Sequence, residues 1–291
     1  MLSGIFRTFS NTWSIIKTSM VVLRKDKELL LFPLMSFIGV GIVVAIAAIA
    51  FLALGSFDRI SSSTAAGGQA QLQAGDAIVA VIALFAAITI ITYFNAALMG
   101  AARHRLKGGD PNVFTGFAAV NKNVSGVIGW SFISTIIFIA LTYARSVAED
   151  NFIARIIIDI MGAIWAYMTF FVVPILIVEH VGPIEAIKRS KSYFTRTWGE
   201  QLVSGFGFGI FRFLAVIPGV AIGAAVGAIS PVAGIIVAIP LVAIGLAVVN
   251  ALEGIFKMAL YEQVVENVQP QFFEPEVLQN AYHPKGVEAY R

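Results

Sequence analysis

His104, Glu179 and His180 are the residues of this sequence best suited by type to hold a metal ion. Two imidazoles and one carboxylate would suit zinc or iron. His104 stands at the end of one long apolar run, and Glu179 with His180 at the end of another, so their depths in a membrane would match. No helical i, i+4 pair pre-sets them as ligands, and histidine is common at such ends. The reading without a metal is therefore preferred. His283, near the C-terminus, carries no signal.

Arg212 and Asp159 form a second candidate set, because each interrupts an otherwise apolar run. An unpaired arginine in mid-membrane costs roughly 2.5–3.5 kcal/mol on insertion scales. Arg212 falls near the middle of its run and so must be paired, hydrated or drawn to an interface. Asp159, with Arg155 four residues earlier, is the expected partner. The structural reading makes Arg212 a packed residue bridging to Asp159 or to helix carbonyls. The functional reading places it in a substrate, ion or lipid-headgroup cavity. The structural reading is preferred. Glu253 and Lys257 form an i, i+4 pair at the end of the last apolar run. Lys188, Arg189, Lys191 and Arg196 are candidates for anionic lipid headgroups.

Other chemistry finds no foothold. The chain has no cysteine, which excludes disulfides, thiolate metal sites and thiol nucleophiles. Gly205, Gly207 and Gly209 alternate, but without a preceding strand they are no nucleotide fingerprint. No acid/base pair or nucleophile constellation stands out, so no catalytic residue and no cofactor is expected.

The elements that carry these residues follow from composition. The chain is 58% hydrophobic and only 13% charged, with net charge +3, whereas a soluble domain carries about a quarter charged residues. The basic residues flank long apolar runs, which points to a membrane and not to nucleic acid. A bilayer core of roughly 30 Å needs about 20 helical residues. Runs of that length occupy about 29–54, 77–102, 124–144, 156–178, 201–229 and 232–252. They are continuous and rich in Ala, Ile and Leu, unlike the alternating strands of a barrel. The expected fold is all-α: a polytopic bundle of about six transmembrane helices in three hairpins. It forms one membrane domain over 1–265, followed by a tail over 266–291 with one short helix near Pro275–Tyr282. No cleavable signal peptide is expected. Residues 55–76 read as a flexible linker.

Orientation follows from Lys and Arg. Sixteen of them fall on the side of the N-terminal segment, the second and fourth loops and the tail; Arg59, Arg145 and Arg155 fall on the other. Both termini are expected in the cytoplasm, across the cytoplasmic (inner) membrane.

An amphipathic segment precedes each hairpin. Residues 2–24 place Leu2, Ile5, Phe6, Phe9, Trp13, Ile16, Met20 and Leu23 on one face. Asp110-Pro111 reads as an N-cap and first helical proline, followed by a stripe of Phe114, Phe117, Val120 and Val124. Gly182-Pro183 opens a third helix with the stripe Ile184, Ile187, Phe194 and Trp198. The three are expected to lie in the headgroup region as interfacial helices. Gly219, Gly223 and Gly227 share one face of the fifth span, which predicts close packing on the sixth; homo-oligomerisation is the rival reading. Pro174, Pro218 and Pro240 mark possible breaks or kinks.

Three stretches carry a resemblance. The first runs from Tyr93-Phe94-Asn95-Ala96-Ala97-Leu98 into Arg105-Leu106-Lys107-Gly108-Gly109-Asp110-Pro111. The second is Phe171-Val172-Val173-Pro174 through Val181-Gly182-Pro183 to Ser190, and the third is Ala259-Leu260-Tyr261. The chain resembles an uncharacterised family of prokaryotic six-span membrane proteins, distantly similar to the membrane domain attached to some glycerophosphodiester phosphodiesterases. The resemblance implies a membrane bundle and carries over no catalytic residue. The expected role is a non-enzymatic assembly, lipid-organising or accessory component. Its expected partners are the bilayer, above all anionic headgroups, and a membrane protein or a second copy. A small transporter or channel with Arg212 in its cavity is the alternative, and an intramembrane lipid-modifying enzyme the third.

Overall fold

The computed structural model describes residues 2–65, 73–198 and 208–279. Helices follow in the order α1 (Leu2–Lys25), α2 (Leu31–Ala53), α3 (Ser56–Ala65), α4 (Ala74–Leu106), α5 (Val113–Asn121) and α6 (Val124–Val147). Then come α7 (Phe152–Met168), α8 (Val172–Val178), α9 (Pro183–Trp198), α10 (Phe208–Gly227), α11 (Pro231–Val264) and α12 (Pro275–Gln279). No strand occurs among the described residues. His283, Gly205, Gly207 and the Arg196 and Trp198 side chains lie outside the described parts.

Among the described residues, six segments are long and apolar enough to cross a bilayer: 27–53, 74–106, 124–147, 152–178, 208–227 and 231–264. A helix satisfies its own backbone hydrogen bonds, which lipid cannot do. The protein is therefore an all-α polytopic membrane bundle. The fifth span is described only from Phe208, so its expected start at Gln201 lies outside the described residues.

The core is concentrated at one end. Phe32 of α2, Leu98 of α4, Ile175 of α8 and Ile255 and Tyr261 of α11 are fully buried there. Towards the other end the spans turn isoleucines outward, such as Ile38, Ile46 and Ile49 of α2 and Ile235 and Ile239 of α11. Such side chains suit lipid tails, which make no demand for burial against protein.

The α10–α11 hairpin is closely packed along its glycine face. Ser230 Oγ caps α11 by accepting from Ala233 N at 3.4 Å, and Pro231 occupies the first turn. A Cβ placed on Gly223 would lie 2.4 Å from Ala238 Cβ, and one on Gly234 2.6 Å from the Gly223 carbonyl. The glycine face thus meets the sixth span, as its spacing predicts. Pro218 and Pro240 sit inside unbroken helices. Only Pro174 coincides with a break. It has no N–H for the carbonyl of Phe170, so the turn before it opens between α7 and α8. The freed Phe171 N–H donates to Ser190 Oγ of α9 at 3.0 Å.

Three local expectations are corrected. Part of the 55–76 linker is α3, held when Arg59 and Ser56 engage the buried Asp76 carboxylate at the start of α4. The cap of α5 is Asn112 and not Asp110: Asn112 Oδ1 accepts from Thr115 N at 2.9 Å, while Asn112 N donates to Thr115 Oγ1. Asp110 is instead drawn to Arg105. The apolar stripes of the short helices divide between the bundle and its surroundings. Ile15, Ile16, Val22 and Leu23 of α1 are buried, with α1 lying on α11; Val120 of α5 and Ala186 and Phe194 of α9 are buried too. Phe114 and Ile184, assigned to those stripes, are left 80% and 63% exposed.

Candidate functional site

The end that holds the core also gathers most of the paired charge. Its geometry begins at Asn123, between α5 and α6. Its Nδ2 donates to the Leu176 and Val181 carbonyls, both at 2.9 Å, and its Oδ1 accepts from Gly126 N. One side chain thereby caps α6 and clamps the turn that follows α8 from both sides. Within that turn His180 has φ +52°, in the left-handed region. Glycine or asparagine usually takes such a position after a helix. A left-handed non-glycine residue costs on the order of 1–3 kcal/mol, so the surrounding bonds must hold His180 there.

Glu179 and His180 part company at this turn. Glu179 points into the bundle, where Tyr261 of α11 donates to its Oε1 at 2.7 Å and Arg189 of α9 pairs with its Oε2. Glu179 first, then Glu185, push the Arg189 guanidinium above its already high range. Arg189 therefore pairs with two carboxylates, whereas Lys188 and Lys191 stay exposed. His180 turns the other way. It lines a cleft of about 450 Å³ together with Arg103, His104, Lys107 and Lys122. His104 and His180 thus share a cleft, as their depths suggest, but Glu179 does not join them. Among the described residues no three histidine or carboxylate side chains gather as a metal-ligand group.

The cleft lies between the end of α4, α5 and the turn after α8. Gly100 permits α5 to approach, since a Cβ there would lie 2.4 Å from Ala119 Cβ. Gly109 likewise leaves room for the His104 ring, whose Nε2 would stand 2.3 Å from its Cβ. Among the described residues no carboxylate lines the cleft. Behind its wall, Arg103 meets Glu266 at 2.5 Å and the fully buried Glu262 at 3.6 Å, and Lys107 meets Glu266 at 3.2 Å. These pairs fix the direction of two cations. Lys122 and the two imidazoles have no carboxylate within ion-pair distance in the described structure. Sequence reasoning missed Glu262 and Glu266. Glu262 lies in the last turn of α11 and Glu266 just past its end, and their four-residue spacing was the available signal.

A second cleft of about 380 Å³ lies where α7, α10 and α11 meet. Arg212 lines it, and here the expected pairing is corrected. Arg212 Nη2 lies 2.5 Å from Glu253 Oε2, and Lys257 Nζ 2.9 Å from Glu253 Oε1. Asp159 pairs instead with Arg145 of α6, across the α6–α7 hairpin. The reason is depth. Counted from the turn at Ser230, Arg212 stands about 27 Å along α10, roughly 18 residues at 1.5 Å each. It lies near the packed end, and not in the middle of a core of about 30 Å. Glu253 lies roughly 23 residues beyond Ser230 on the antiparallel α11, about 35 Å along it, further towards the packed end but within reach of the long Arg212 side chain, whereas Asp159 lies towards the opposite end.

The three stretches that carry the resemblance converge on the packed end: Leu98 against Gly254, Phe171 against Tyr261, and Tyr261 on Glu179. No curated protein and no solved structure matches the chain. The distant similarity to the phosphodiesterase-associated membrane domain is not shown. Residues 76–270, which include both clefts, match a family of unknown function. With two thirds of its length inside that match and six apolar spans, this membrane protein belongs to the family of unknown function DUF6159.

Proposed function

We propose that the protein is a non-enzymatic, lipid-organising component of the cytoplasmic membrane, and that the cleft between α4, α5 and α8 holds the anionic headgroup of a phospholipid. The observation that carries this reading is the lining of that cleft: Arg103, His104, Lys107, Lys122 and His180, with no carboxylate among them. Basic pockets between span ends suit lipid phosphates, at about 1 kcal/mol for each Lys or Arg near the surface. Arg103 and Lys107 are held by Glu262 and Glu266, so a phosphate would meet donors already in place. The depth agrees with this, because the cleft lies at the end of the spans where headgroups lie. Both termini are assigned to the cytoplasmic side by the sixteen-to-three division of Lys and Arg.

The test uses the full chain in nanodiscs of phosphatidylcholine with added phosphatidylglycerol or cardiolipin. Native mass spectrometry after mild release counts the lipids retained. The wild type should keep an anionic lipid in preference to phosphatidylcholine. Lys107→Gln with Lys122→Gln should weaken that retention roughly tenfold or more, as the loss of about 2 kcal/mol implies. Equal retention of neutral and anionic lipid, or retention untouched by the double variant, would refute the reading.

A further inference from the structure

The second cleft has a different chemistry from the first. Its charged wall is a triad, Arg212–Glu253–Lys257, with one carboxylate between two cations and a net charge of +1. One arginine nitrogen serves Glu253. A guanidinium carries five N–H donors in all, and the Arg212 side chain is 49% exposed at the cleft. Lys257 Nζ stands 5.1 Å from the centre of the Phe170 ring, which forms part of the same lining. Apart from Tyr167, the remaining walls are apolar. Phe208 and Phe256 close one side, while Ala163 and Ala166 of α7 leave the space open on the other.

The cleft lies at the seam between two hairpins. α7 packs on α6 and α9, and α10 packs on α11. Away from the triad, the seam continues into outward-facing apolar side chains such as Ile156 and Ile160 on α7 and Phe213 and Ile217 on α10. A net single positive charge at headgroup depth, opening onto an apolar seam, matches a molecule with one negative charge and a hydrocarbon chain.

We infer that the Arg212–Glu253–Lys257 cleft is a binding site for an amphiphile bearing one anionic head, either a carboxylate or a phosphodiester, which enters sideways from the bilayer with its chain along the α7–α10 seam. The anion takes the free donors of Arg212 and Lys257. Glu253 keeps both cations in register and limits the site to a single charge, since a second negative group would face its carboxylate. The site is separate from the basic cleft and does not depend on it.

The full chain in phosphatidylcholine nanodiscs is offered three diazirine-bearing probes: palmitic acid, its methyl ester, and phosphatidylglycerol. Crosslinks are mapped by mass spectrometry. At least one anionic probe should label α7 or α10 near Ala163 and Phe208, at least tenfold more than the ester. Labelling by palmitic acid alone identifies a carboxylate ligand, and labelling by phosphatidylglycerol alone a phosphodiester. Ala166→Trp fills the cleft from an exposed position without touching the triad, and should abolish that labelling. Lys257→Gln should reduce it at least fivefold. Lys107→Gln with Lys122→Gln should leave it unchanged, which separates this site from the basic cleft. Ester labelling equal to that of both anions, or labelling that survives Ala166→Trp, overturns the inference.

Discussion

Arg212 of α10 and Glu253 of α11 meet at 2.5 Å, across the two arms of the last hairpin. Lys257 approaches the same carboxylate from one helical turn further on. Removing the arginine leaves Glu253 with one partner, so the loss is smaller than for a fully buried pair with none. Arg212→Met should destabilise the protein by about 1–3 kcal/mol, below the 3–5 kcal/mol of a fully buried broken pair. Adding Glu253→Gln should recover part of that loss, because both sides of the pair are then gone. Adding Asp159→Asn should recover nothing, since Asp159 serves Arg145. Thermal unfolding in detergent, followed by tryptophan fluorescence, distinguishes these variants. Rescue by Asp159→Asn and not by Glu253→Gln would contradict the observed pairing.

The glycines of the same hairpin are not equivalent. Gly223→Ala drives a methyl to 2.4 Å from Ala238 Cβ, with the Gly234 carbonyl at 3.1 Å. It should cost about 1–3 kcal/mol through overpacking. At Gly227 the nearest atom is Gly234 Cα at 3.8 Å, an ordinary contact. Gly227→Ala should be neutral, or stabilising by up to about 1 kcal/mol from helix propensity. Unfolding temperatures of the two single variants test the contrast, and equal losses would mean that the helices do not approach as described.

The orientation is open to direct labelling, because the sequence contains no cysteine. Ser62 is exposed on α3 and Lys188 on α9, at opposite ends of the bundle. Cysteine at position 62 should react with an impermeant thiol reagent in intact cells. Cysteine at position 188 should react only after permeabilisation. The reverse pattern would place both termini outside.

The spans were legible because a bilayer imposes a length and a composition on each, and both are printed in the sequence. The glycine face of α10 was legible for a similar reason: a four-residue repeat on one helix states which side comes close. The pairing of Arg212 was not. Its depth depends on where the helix starts relative to the membrane, and an apolar run shows only that it is long enough. Once the hairpin turn at Ser230 is taken as origin, Arg212 falls near the packed end, where its long side chain reaches Glu253. The amphipathic stripes showed the same ambiguity. An apolar face that fits lipid also fits a neighbouring helix, and only the observed packing shows that Ile15, Ile16, Val22 and Leu23 meet protein. In the basic cleft, His104 and His180 share a level, as their positions suggested. The direction of Glu179 was hidden, because it is set by Tyr261, far away in sequence.

The docking of α1 on α11 sets an order in time. The ribosome releases α1 long before α11 exists, and at about 5–20 residues per second the interval is on the order of ten to fifty seconds. For that period Ile15, Ile16, Val22 and Leu23 lack the helix that covers them in the finished protein. The nascent amphipathic helix must wait against the membrane surface, or against an insertion factor, until the sixth span arrives. The surface behaviour implied by its amphipathic sequence thus belongs to the assembling chain, and its burial against α11 to the completed one.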